Sequence, residues 1–145
     1  MKRSKRLEPV RELIDENERN CALRVSGAQN RLADAERRHA ELERYLGEYQ
    51  QAFQARATAG MGVSGMRDYQ TFIARLSEAV KQQELLLEQL RAACERERAC
   101  WVEAAARKNA VGKVIDKACK EDQKIEDRRQ QNELDERAQR QGVAG

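Results

Sequence analysis

An all-α fold, two long helices in an antiparallel coiled-coil hairpin with the second helix longer and overhanging, follows from three features of the sequence. Apolar side chains recur every seven residues along most of the chain, and the one dense cluster of helix breakers lies between two such repeats. Charged residues make up 37% of the 145 positions and aromatic residues 4%, so there is little large apolar surface for a globular core or a sheet. A chain of this length forms one small unit at most, and we expect a single hairpin over residues 1–145, with helices at about 7–57 and 66–138 and a glycine turn at 58–65.

In the first arm, Leu7, Ile14, Cys21, Ala28, Ala35, Leu42 and Tyr49 fall on one heptad position. Val25, Leu32, His39, Leu46 and Phe53 fall on the second, so a seam with alternating steps of three and four runs from Cys21 to Phe53. Thr58 to Gly65 holds three glycines in eight residues and ends the arm. The second arm repeats the pattern with Ile73, Val80, Leu87, Cys94, Trp101 and Ile115 on one position. Tyr69, Leu76, Leu90, Ala104, Val111, Ala118 and Ile125 occupy the other. Gln83, Glu97, Lys108 and Asp122 interrupt this seam.

A short turn between long arms makes them antiparallel. Folding back near Met61 sets Trp101 opposite Cys21 and Val25, whose small side chains leave room for the indole. The same register leaves residues beyond about 117 without a partner arm. That overhang is dominated by charge, with Ile125 and Leu134 as its main apolar side chains, and local ion pairs alone hold such a helix weakly. Gly27, Gly47 and Gly112 are expected points of flexure.

The net charge of +3 is the balance of 28 basic and 25 acidic residues, which argues against an electrostatic nucleic-acid binder. No apolar run is long enough to cross a membrane, so a cytosolic location is expected, with Cys21, Cys94, Cys100 and Cys119 as reduced thiols. Gly60, Gly62 and Gly65 spell G-x-G-x-x-G, but the dinucleotide mechanism needs a preceding strand and here a heptad-patterned helix precedes it. His39, the sole imidazole, sits at a seam position with no nucleophile recurring near it. The expectation is a non-enzyme with no catalytic residue, cofactor or metal.

Two surfaces stand out as docking candidates. Tyr45 and Phe72 lie near the turn one step off the seam, and Phe72, Ala79 and Leu86 make a flanking stripe at heptad spacing. At the open end, Lys2, Arg3, Lys5 and Arg6 would lie beside the start of the charged overhang.

Tyr45-Leu-Gly-Glu-Tyr49, the glycine turn, Tyr69-Gln-Thr-Phe-Ile73 with Leu76, the single Trp101 and Glu133-Leu-Asp-Glu-Arg-Ala138 resemble the FliJ family over nearly the whole chain. FliJ is the small coiled-coil component of the bacterial flagellar type III export apparatus. Pro9 and the basic first six residues depart from the family pattern. The resemblance implies a stalk like the gamma subunit of rotary ATPases, peripheral on the cytoplasmic side of the membrane at the flagellar base. It implies three partners: the hexameric export ATPase, the transmembrane export gate and the chaperones of filament-type substrates. Tyr45, Tyr49, Phe72, Leu76 and Ala79 would bind the gate. Arg3, Lys5, Arg6, Arg11, Lys124, Arg129, Leu134, Asp135 and Arg137 would meet the ATPase. A virulence-type secretion stalk, and a coiled-coil nucleic-acid-binding arm, are the alternative readings.

Overall fold

The computed structural model describes residues 2–144 and contains two helices, α1 over Arg3–Ala59 and α2 over Val63–Ala144. Cross-helix contacts pair them antiparallel as a helical hairpin. These contacts divide the chain into two compact units, one of Met1–Cys21 with Cys100–Gly145 and one of Ala22–Ala99.

The connection is shorter than the expected 58–65, since only residues 60–62 are non-helical. Gly60 has φ +97°, the left-handed conformation that ends helices and suits a residue without Cβ. Its N–H donates to the carbonyl of Ala57 at 3.4 Å, and Met66 N–H donates to Gly62 at 3.0 Å to start α2. A Cβ on Gly65 would come within 3.1 Å of Met61 Cγ, so the small residue there lets Met61 fold against the first turn of α2. Helix propagation through Thr58 and Ser64 needs no breaker, which is why two glycines suffice where the composition pointed to a longer loop.

The core is thin. On α1 the buried apolar residues are Cys21, Ala28 and Ala35, all at one heptad position, and on α2 they are Val80, Leu87, Ala104, Ile115 and Ala118. Both helices run unbroken through Gly27, Gly47 and Gly112, where flexure was expected. α1 also runs through Pro9, whose missing N–H leaves only the Lys5 carbonyl short of its intrahelical partner.

All four polar residues that interrupt the α2 seam have partners on α1. Gln83 Nε2 donates to the Ala35 carbonyl at 3.1 Å, and Glu97 pairs with Arg24 at 3.3 Å. Lys108 pairs with Glu18 at 3.6 Å, and Asp122 accepts from Ser4. Glu18 also accepts from Trp101 Nε1 at 3.0 Å. Trp101 is therefore drawn to the edge of the seam and keeps 36% of its surface exposed, instead of filling the space beside Cys21.

Replacing Gly60 by Ala should lower stability by about 1 kcal/mol, the cost of holding a Cβ in the left-handed region. Gly62→Ala, where a Cβ meets nothing within 4 Å and φ is not positive, should leave it nearly unchanged. Paired urea melts of the two variants check the difference.

Candidate functional site

Within the Ala22–Ala99 unit the aromatic residues converge across the two helices. The ring centroids of Tyr49 and Phe72 are 4.6 Å apart, those of Tyr49 and Tyr69 6.4 Å, and those of Phe53 and Tyr69 6.0 Å, all tilted. The cluster stays partly wet, with Phe72 42% and Tyr49 38% exposed. One groove of about 290 Å³ lies along Tyr49, Asp68, Tyr69 and Phe72. A second, about 730 Å³, runs past Phe53 and Ile73 and is edged by Gln50, Gln51, Gln54 and Gln70, with Gly47 opening it. Polar amides around apolar walls give a surface that can both bury a partner's side chain and hydrogen-bond its backbone.

Tyr45, Leu76 and Ala79 belong to the same unit. Tyr45 is 44% exposed and stacks with the guanidinium of Arg44, on its own helix, 5.4 Å from the ring centroid. Leu76 and Ala79 are half-buried along α2. Phe72 lies one step off the seam, yet its ring packs on Tyr49 of the opposite helix and so contributes to the pairing of the two helices. Tyr69 and Phe53, assigned above only to the seam, complete the cluster. Their side chains are wide enough to reach past the seam where it ends at the turn.

In the unit of Met1–Cys21 with Cys100–Gly145, α1 begins at Arg3, so pairing continues past residue 117 and takes in Glu121 and Asp122. Asp122 accepts from Ser4 Oγ at 2.5 Å and from Ser4 N–H at 3.2 Å, and Arg3 pairs with Glu121 at 3.5 Å. Ser4 lies in the first turn of α1, whose N–H groups have no intrahelical acceptor, and that helix end carries no acidic residue of its own. Asp122 therefore caps α1 from α2, its negative charge facing a helix N-terminus crowded with Arg3, Lys5 and Arg6.

Lys5, Arg6, Lys124, Arg129 and Arg137 are exposed, and Arg11 is half-buried beside a groove of about 380 Å³ along Ile14, Lys108 and Gly112. Beyond Asp122 the polar contacts of α2 among the described residues stay within the helix. Gln123 donates to Asp127 at 2.9 Å, Arg129 pairs with Glu126 at 3.1 Å and Gln131 donates to Asp135 at 3.1 Å. Leu134 is 57% exposed in this stretch.

An antiparallel pair of long helices with a thin heptad seam defines a helical hairpin of the coiled-coil class. The chain matches the flagellar FliJ protein family over residues 3–144, and it belongs to that family, a component of flagellar protein export. Neither the curated proteins nor the solved structures include a match to this chain. No helix among the described residues is long and apolar enough to cross a membrane.

The Ser4 hydroxyl is the main reason that the Asp122 carboxyl is held below its ordinary value; partial desolvation opposes it, and the Ser4 N–H, Lys2 and Arg3 add to it. A depressed carboxylate contributes stability that is complete above the unfolded value of about 3.9 and is lost as pH falls through the folded value. The Ser4 amide resonance should thus hold steady from neutral pH to about 4 and shift only below it, with a midpoint under that of a free Asp. Asp122→Asn should flatten the titration, as followed by two-dimensional NMR.

Proposed function

We propose that this chain is the non-enzymatic stalk that links the export ATPase hexamer to the transmembrane export gate, acting on the cytoplasmic side of the membrane at the flagellar base and escorting export chaperones during flagellum assembly. The observation that carries the reading is the continuation of α2 as a charged helix to Ala144, past the last polar contact with α1 at Asp122 among the described residues. A helix with opposite charges on all sides and few apolar anchors suits a pore lined by polar loops. Exposed ion pairs contribute at most about 1 kcal/mol each, speed encounter and permit sliding. The aromatic cluster of Tyr49, Phe53, Tyr69 and Phe72, with Tyr45 beside it, supplies the apolar contact for the gate. Aromatic side chains in partly desolvated grooves are the residues that dominate interface energies.

The gate surface is tested with Tyr45. Because its ring stacks within α1, Tyr45→Ala should leave helicity and the thermal midpoint close to the parent's while weakening gate binding by about 1–2 kcal/mol, roughly 5- to 30-fold. Phe72→Ala should weaken binding and lower the midpoint together. Calorimetric titration of the gate's soluble domain with both variants separates the two effects.

The ATPase contact is tested by a chain ending at Glu126, which keeps the Ser4 and Arg3 pairs intact. It should melt like the full chain yet fail to stimulate ATP hydrolysis, and stimulation by the full chain should fall as salt is raised through the range where the Debye length drops from about 10 to 3 Å. Equal stimulation by the shortened chain would remove the stalk reading.

A further inference from the structure

The geometry points to a zinc site at His39, Glu43 and Glu84, in the Ala22–Ala99 unit. Nε2 of His39 lies 3.4 Å from Oε1 of Glu43, one turn along α1, and 3.3 Å from Oε1 of Glu84 on α2. All three ligand atoms fall within 4.8 Å of one another. Ligands about 2.0–2.2 Å from a tetrahedral zinc are separated by roughly 3.3–3.5 Å, so both spacings from His39 match ligand pairs around one ion. The two carboxylates lie within 4.8 Å of each other and close on the ion by side-chain rotation. The His39 spacings fit a hydrogen-bonded ion pair less well. Charge-assisted N–H···O contacts run at about 2.7–2.9 Å, and a single ring N–H cannot be aligned on two carboxylates at once.

The position adds a second argument. His39 occupies a seam site and its side chain is only 19% exposed, while the carboxylates are 56% and 54% exposed, so an ion held there is backed by the seam and open to water on the other side. A groove of about 300 Å³ runs past His39 and Glu84, with Glu36, Glu88 and Arg91 also along it, and leaves room for a water as fourth ligand. Two carboxylates cancel the charge of a divalent ion. The imidazole selects zinc and its transition-metal neighbours over magnesium or calcium, which take oxygen ligands. Three protein ligands plus water is the open arrangement of zinc, and here the ion clamps α1 to α2. Sequence reasoning assigned no metal because Glu84 meets His39 only through the pairing of the arms; folding back near Met61 sets residue 39 opposite residue 83, which was the available signal.

The test is calorimetric titration of the full chain with zinc chloride at about pH 7.5 under a non-chelating reductant, with Cys94, Cys100 and Cys119 replaced by Ser to remove competing thiolates. One zinc per chain is expected. His39→Leu places an ordinary seam residue there and keeps the fold, and Glu84→Gln keeps the shape; each should weaken binding roughly tenfold or more. Zinc in about hundredfold excess over Kd should raise the thermal midpoint of the parent by a few degrees and that of Glu84→Gln by about half as much or less, since only Glu84 bridges the helices. Cobalt should give visible d–d bands without a thiolate charge-transfer band. Absence of zinc uptake at about 100 μM, or binding unchanged in His39→Leu and Glu84→Gln, would overturn the site. Either outcome is independent of the ATPase and gate experiments.

Discussion

The buried face of α1 is made of Cys21, Ala28 and Ala35, and the rest of the structure follows from how little those side chains specify. Small residues let the helices approach closely, but alanines one heptad apart are interchangeable to a partner that slides by one heptad. Apolar burial therefore favours pairing without choosing a register. The polar seam residues choose it. Slipping α2 by seven residues would strand Gln83 away from the Ala35 carbonyl and leave Asp122 and Lys108 facing groups other than Ser4 and Glu18. Each pair contributes little alone, because none of these polar residues is buried, but their sum favours this register over one in which all four partners are lost.

A thin core also explains where the interaction chemistry lies. Long side chains placed on a narrow seam spill past its edges, so Trp101 keeps its indole at the rim with its N–H on Glu18, and Tyr49 and Phe72 close on each other while remaining more than a third exposed. Rings this large overhang a two-helix seam even where Leu46, Ile73 and Leu76 line it, and they leave the Ala22–Ala99 unit apolar grooves at its surface.

The heptads were legible because their period is a local property: Cys21, Ala28, Ala35, Val80 and Leu87 were all placed on the seam, and all are buried. So was the turn, although composition overestimated its length, since Thr58 and Ser64 have helix propensities low enough to read as loop yet join the adjoining helices. What was not legible involves residues far apart in the chain. Asp122 reads as a flaw in the α2 pattern until Ser4 is seen to need an acceptor for its N–H, and the helical start at Arg3 is unfavourable until that carboxylate arrives to offset the basic first turn. Phe72 reads as off-seam because a heptad wheel has no width, whereas a ring reaches a neighbour one position away. His39 and Glu84 are separated by 45 residues, and neither carries a motif.

The unpaired stretch of α2 rests on different physics from the rest of the molecule. An isolated segment of that composition would be marginal, because starting a helix fixes several dihedrals for one hydrogen bond and short peptides rarely recover that loss in water. Here the nucleus already exists: Ile115 and Ala118 are buried against α1 and Asp122 is tied to Ser4, so each later residue needs only to propagate. Propagation is close to neutral for Gln, Glu, Arg and Lys, and the pairs from Gln123 to Asp127, Glu126 to Arg129 and Gln131 to Asp135 each add a few tenths of a kcal/mol. The cap at Ser4 thus does two things at once. It ends α1 where its basic residues would otherwise oppose the helix dipole, and it anchors the point from which α2 extends, leaving a helix whose side-chain polar contacts, among the described residues, lie within the helix itself.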